Sequence, residues 1–361
     1  MKKISLICLV LLLICVGTAA LADGKVLVAL GDSYICGEGI EPFYGQDAPM
    51  SEKCQNPDWL AHRSQNSWPG MLTLPGVDGC LADHRGENFF FAAISGARTD
   101  HLFLLTDDEK ANGQSAAFEK PYRRDGISGV SLLPAQLDIF DELDAKDLKA
   151  DYVLVMIGGN DVDFKGILTM AMMRQTKRVS GETYVDKGVS LFDKQYDVSN
   201  VQSSLKRAYY DVAKRAGSQA KIIVVGYPYP LVEESQSVFS AEDVRIMDEA
   251  EYFFNTEVCR IVSECHDEGL NIYYVDVNNI FENHGAYAEE PYINPIILGA
   301  GSEDLDSTGL VSAASIHPNI DGLHAYADCV QYVIDAIESN IDSDRYIYYY
   351  PKEATEDGEE F

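Results

Sequence analysis

Apolar residues gather along the chain into five short runs bounded by glycine, asparagine or charged residues. They are KVLVAL (25–30), NFFFAAI (88–94), DYVLVMI (151–157), AKIIVVGY (220–227) and NIYYVDV (271–277). A continuous apolar run of this length fits a parallel strand covered on both faces. The segments between the runs carry a helical period. LPAQLDIFDEL sets Leu133, Leu137, Phe140 and Leu143 on one face. NVQSSLKRAYYDVAKRAG does the same with Val201, Leu205, Ala208 and Val212, and Gly217 is its C-terminal stop. A long helix or helix pair is expected over 241–268 and a last helix over 323–340. Alternation of this kind predicts an α/β fold, a three-layer α/β/α sandwich around a mostly parallel five-stranded sheet.

Three stretches exceed a minimal strand–helix repeat. They are 41–87, with its cysteines, prolines and tryptophans, 162–200, and 278–316, rich in asparagine, glycine and acids. They follow the first, third and fifth strands, where loops of an open α/β sheet wall a ligand site. With no internal repeat and no linker-like segment, residues 23–340 read as one domain. Residues 341–361 read as an acidic tail, frayed from about Glu353. The Tyr346–Tyr350 run could bind glycan, but packing is the simpler reading.

The first residues change where this domain is expected to work. Lys2 and Lys3 precede an apolar run from Ile4 to Val16, and Ala20-Leu21-Ala22 fits a small-x-small cleavage site. The run is shorter than the roughly 20 residues of a spanning helix, so residues 1–22 are expected to be a signal peptide cut after Ala22, giving a secreted product. A net charge of −30 repels nucleic acid and anionic membranes, and neither is expected as a partner. No stable membrane insertion is expected, and the product is expected to be a monomer. Of eight cysteines, Cys8 and Cys15 lie in the leader. Cys36, Cys54, Cys80, Cys259, Cys265 and Cys329 remain, an even number that suggests disulfides in an exported chain. Cys54 and Cys80 share one polar loop and form the expected bridge. Cys259 and Cys265 face different sides of one helix and cannot bond to each other. No CxxC or HxxxH spacing points to zinc, and no metal or organic cofactor is implied.

Polar residues at the strand ends carry the candidate chemistry. The first strand runs into Gly31-Asp32-Ser33, the second into Ser95-Gly96, the third into Gly158-Gly159-Asn160-Asp161, and SIHPNIDGLHAYAD stands near the C-terminus. In a parallel sheet such ends converge. Ser33 would be a nucleophile, which needs an adjacent base such as histidine. Attack on an ester carbonyl makes an oxyanion, for which the Ser33 N–H, the Gly96 N–H and the Asn160 side-chain amide could be donors.

At these residues the chain resembles the SGNH (GDSL) hydrolases. GDSY matches the first block of that family, Gly96 the second, GGND the third and the His-Pro-Asn segment the last. It is most similar to the secreted actinobacterial-type lipase and esterase branch. HRSQNSWPGML, FFAAISGARTDHL, LPAQL, IGGNDVDF and VVGYPYPL follow in order over about 25–335. The resemblance implies a flavodoxin-like sheet and a serine hydrolase. It departs at the last block, usually Asp-x-x-His. His317 fits His-Pro-Asn-x-x-Gly followed by Ala-Tyr-Ala, but three residues before it stands Ala314. The backbone carbonyl of Ala314 would then orient the imidazole. The competing register uses Asp321 and His324.

Other polar residues have simpler readings. Asp32 is expected to bond turn amides, and Asp161 and Asp163 to brace the loop after the third strand. Arg63, Trp59 and Trp68 are expected to pack, His284 to sit at the pocket rim, and Cys36 to be buried or bonded. GILTMAMM (166–173) could line an acyl site or be a buried turn. The expected function is carboxylic ester hydrolysis through an acyl-enzyme on Ser33 with His317 as base, on a small-molecule, lipid or glycan ester. A carbohydrate O-acetyl esterase is the alternative. A non-catalytic binding protein on the same scaffold would require a lost nucleophile, base or donor, and none is missing.

Overall fold

Leu27–Gly31 (β1) is buried along its whole length, because it has a strand on either side. It pairs in parallel with Phe89–Phe91 (β2) and with Tyr152–Met156 (β5). The computed structural model describes residues 24–162, 198–232, 239–341 and 343–351. The leader through Ala22, Asp163, GILTMAMM and the last tail residues lie outside these. Lys221–Val225 (β6), Ile272–Asp276 (β7) and Ile347–Tyr349 (β8) continue the sheet in the order β2-β1-β5-β6-β7-β8, every pair parallel. The first five strands in space follow the flavodoxin-like order. Its reversal lies between β1 and β5, where ligands of such sheets bind at the strands' carboxyl ends.

The apolar runs are aliphatic or aromatic and almost all buried, as parallel strands under helices require. The helices that matter here are Ser33–Cys36 (α1), Ile139–Ala145 (α2), Val198–Ala216 (α3), Ala241–Asp267 (α4) and Ile320–Glu338 (α5). α3 packs on α4, and both α4 and α5 pack on β7. The long helix over 241–268 is a single one, started by a reciprocal cap between Ser240 and Asp243. Gly217 follows α3 with φ 89°, the left-handed stop that its residue type suggests.

Two elements differ from the sequence reading. Phe118–Arg124 (β3) and Ile127–Leu133 (β4) form an antiparallel hairpin apart from the main sheet. Leu133 therefore ends a strand instead of opening a helix. The turn is Asp125-Gly126, both with positive φ, the geometry that suits a two-residue hairpin. The second difference is β8, a sixth strand drawn from the stretch assigned to the tail. Tyr348 is buried, Tyr346 stacks on His266 at 3.9 Å, and Tyr350 meets Tyr332. Tyr346, Tyr348 and Tyr350 pack while Tyr349 faces solvent, and the folded unit extends past residue 340.

Candidate active site

β1 ends on Gly31 because a side chain there has no room. Its φ is 144°, and a Cβ would lie 2.1 Å from the Met156 carbonyl oxygen on β5. The buried amide of Gln136 holds Gly31 from the other side, accepting its N–H at 2.7 Å and donating to its carbonyl at 2.8 Å. The chain then turns into α1. Asp32 caps it, its carboxylate accepting the Tyr34 N–H at 3.1 Å. Ser33 is the first residue of that turn and is 8 % exposed.

His317 reaches Ser33 from the loop before α5, with Nε2 2.8 Å from Oγ. Its Nδ1 is 3.1 Å from the Ser315 carbonyl. A carbonyl can only accept, so Nδ1 carries the proton and Nε2 presents a lone pair to the serine hydroxyl. The orienting carbonyl is thus that of Ser315, two residues before the histidine, and not that of Ala314. Ile316 has φ 56°, which swings the Ser315 carbonyl toward the ring. The Ala314 carbonyl instead accepts the His317 N–H at 3.3 Å and the Asn294 amide at 3.2 Å. Tyr34, next to Ser33, braces the same loop: its hydroxyl donates to the Ile316 carbonyl at 2.7 Å.

Gly96 and Asn160 arrive from the ends of β2 and β5. Asn160 donates from Nδ2 to the Ala97 carbonyl at 2.9 Å, tying the two loops together and leaving its second amide proton. Asp161 accepts the N–H and hydroxyl of Thr99, the bracing role expected of it. Tyr227, at the end of β6, donates to Asp32 and accepts the Gly159 N–H at 3.3 Å. The ends of β1, β2, β5 and β6 are therefore cross-linked around one point. An imidazole so held can take the Ser33 proton, and N–H groups nearby can receive the negative charge that follows.

Two buried carboxyls shape the electrostatics. Burial pushes Asp32 up to about 7, against the hydrogen bonds from Tyr227 and the Tyr34 N–H that favour its charge. Burial opposes the charge on Glu38 as well, but its contact with His62, with smaller help from His317 and Ser95, holds it at about 2. Glu38 is 2 % exposed. It lies 2.7 Å from His62 Nδ1 and accepts the Ser95 hydroxyl at 2.5 Å.

A profile of GDSL-like lipases and acylhydrolases matches residues 27–337. The chain belongs to this family. As a GDSL acylhydrolase it is an ester hydrolase. Among solved structures it is similar to an extracellular lipase from Streptomyces rimosus, at 22 % identity over 87 % of this chain and 99 % of the other, with a TM-score of 0.51. It is similar also to phospholipase A1 from Streptomyces albidoflavus, at 19 % identity, 87 % and 99 % coverage and a TM-score of 0.50. These likenesses agree with the flavodoxin-like sheet. No curated protein matches the sequence.

The remaining sequence candidates of this GDSL hydrolase fall outside the cluster. Asp321 and His324 are exposed on α5 and line a surface cavity of about 500 Å³ with Ile280, Glu290 and Asp328. The expected Cys54–Cys80 bridge is not formed. Cys54 is buried with Sγ toward the Ser51 carbonyl at 3.5 Å, whereas Cys80 is exposed, and the other four are also free thiols. Cys36 is buried, which pushes its thiol far up and leaves it inert. Trp59 and Trp68 are fully buried. Arg63 holds the carbonyls of Ala92 and Ala93 at 3.0 and 2.8 Å, which fixes the chain entering Gly96. His284 stacks on Tyr292 at 3.9 Å. Among the described residues no group of three or more His, Cys, Asp or Glu is arranged to hold a metal ion. No helix among them is long and apolar enough to cross a membrane.

Sequence reasoning missed Glu38, Tyr227 and Ser315. For Glu38 a signal existed: an acid between Gly37 and Gly39, directly after the buried turn that carries Ser33.

Proposed function

We propose that this hydrolase cleaves carboxylic acyl esters through a covalent acyl-enzyme on Ser33. His317 takes the hydroxyl proton as Oγ attacks the acyl carbon, and gives it to the departing alcohol. The N–H groups of Ser33 and Gly96 and the Asn160 amide receive the oxyanion. A water activated by His317 then releases the acid and restores Ser33. The Ser315 carbonyl keeps the imidazole in the required tautomer, and the buried Glu38 carboxylate stabilises the transient imidazolium through space. The observation that carries this reading is the 2.8 Å contact of Ser33 Oγ with a His317 whose other nitrogen is committed to a carbonyl.

The substrate class put forward is the acyl ester of a lipid, met outside the cell after removal of the leader. The names lipase and phospholipase A1 on the two neighbours support it. So do Val130 and Leu132, exposed apolar side chains on the outer face of the hairpin whose inner face meets Gly96. The test is labelling by a fluorophosphonate probe with peptide mapping, beside p-nitrophenyl esters of graded chain length and acetylated xylan. Labelling at Ser33 and a preference for longer acyl chains are expected. Ser33→Ala should lose labelling and activity while remaining folded. Turnover by that variant above about a thousandth of wild type would overturn the acyl-enzyme, and turnover of acetylated xylan alone would overturn the lipid assignment.

A further inference from the structure

Lys120 sits on the inner face of the β3–β4 hairpin and is 9 % exposed. A lysine this buried needs strong acceptors for its charge. Its Nζ donates to the Ser95 carbonyl oxygen. That oxygen belongs to the same peptide unit as the Gly96 N–H. Across a planar trans peptide the C=O and the N–H point in opposite directions, so whatever fixes the oxygen aims the hydrogen.

We propose that Lys120 is a positioning residue that holds and polarises the Ser95–Gly96 peptide, so that the Gly96 N–H is presented to the oxyanion. The inference rests on the acyl-enzyme reading above. Three anchors converge on Ser95. Its N–H donates to the Ala61 carbonyl at 3.0 Å, its hydroxyl to Glu38 at 2.5 Å, and its carbonyl receives the lysine. The first two do not determine how the following peptide is turned. Gly96 has φ 90° and no side chain to resist rotation of that peptide. A flip would aim a carbonyl oxygen at the substrate, repelling the charge that must be stabilised, and would remove this acceptor from a buried ammonium. With the lysine bound, the flip is opposed and the N–H becomes a stronger donor, because charge on one end of a peptide strengthens the hydrogen bond at the other. The ammonium is close to the donor itself: a Cβ on Gly96 would lie 4.0 Å from Nζ and 3.4 Å from the Phe118 ring.

The role separates from mere anchoring of the hairpin. Arg124 also ties the hairpin down, donating to the carbonyls of Asp304 at 2.8 Å and Gly301 at 3.2 Å, and touches neither Ser95 nor Gly96. The experiment compares Lys120→Met, Lys120→Gln, Lys120→Arg and Arg124→Met with wild type on a soluble p-nitrophenyl ester. Affinity for an alkylboronic acid, which forms a tetrahedral adduct on the serine, is measured in parallel. Losing an oxyanion donor outright costs roughly 10²–10³ in kcat, so a misaimed one in Lys120→Met should cost about 10- to 100-fold. KM should stay within about twofold, and boronate affinity should fall by the same factor as kcat. Lys120→Arg should recover most of the loss, and Arg124→Met should keep wild-type kcat. A Lys120→Met kcat within about threefold of wild type, an effect confined to KM, or an equal loss in Arg124→Met would each overturn the proposal. Should Lys120→Met fail to fold, Lys120→Gln is read in its place, and wild-type kcat there refutes the role of the charge. Ser33→Ala keeps the two readings apart: its activity bears on the acyl-enzyme, whereas a dead Ser33→Ala with an unimpaired Lys120→Met sinks only the lysine.

Discussion

Asp32 is the residue whose neighbours most constrain its chemistry. Held at about 7 by burial, it keeps a proton in the folded protein that the unfolded chain releases near pH 4. Its contribution to stability therefore falls as pH rises through that window, by up to about 1.4 kcal/mol per pH unit. Asp32→Asn abolishes this titration. The stability of the variant relative to wild type should rise between pH 5 and pH 8, as urea denaturation at several pH values would reveal; a constant difference would mean that Asp32 titrates normally. The two histidines make a second test at this scale. His317→Ala should lower kcat by three orders of magnitude or more, whereas His324→Ala and Asp321→Asn should stay within a few-fold of wild type. A crippled but folded Asp321→Asn, checked by circular dichroism, would restore the other register. Gly31, Asp32, Ser33, Gly96, Asn160 and His317 could be singled out because each stands just past an apolar run or inside a compact motif. Lys120 could not, since a lysine in a strand of alternating polarity reads as surface. The step from Ala314 to Ser315 depends on positive φ at an isoleucine, a conformation that β-branched residues rarely adopt and sequence does not announce.

Among the elements, the parallel strands were readable because burial on both faces leaves continuous apolar runs. The hairpin was readable too, from Asp125-Gly126 between flanks of strand-forming residues. It was passed over because its outward side chains include Glu119, Arg123 and Ser128, which dilute the apolar signal. β8 was hidden by its place beside an acidic tail. That strand makes a prediction of its own. Tyr348 is 2 % exposed and anchors β8 on β7, while β7 and β6 separate it from the strands that carry Ser33 and Asn160. Tyr348→Ala should cost about 3 kcal/mol, as truncation of a buried aromatic does, and leave kcat unchanged. Equilibrium denaturation beside steady-state kinetics decides this, and a loss of kcat without loss of stability would contradict it.

For the whole molecule, the strand order was implied by resemblance, whereas the layered α/β class followed from alternation alone. Thiol pairing was misjudged because an even cysteine count speaks to compartment and not to geometry: the bridge required two side chains to meet, and one points inward while the other faces solvent. The hydrogen bond from Ser33 to His317 closes over 284 residues of chain. Ser33 follows the first strand and His317 precedes α5, so β2 to β7 all lie between the two partners of that contact. On the proposed mechanism, a fragment that stops short of His317 lacks its base and would be mute toward esters, however well its early strands have folded. On that mechanism, ester hydrolysis would report that the chain has been made past His317 and that this long-range contact has closed.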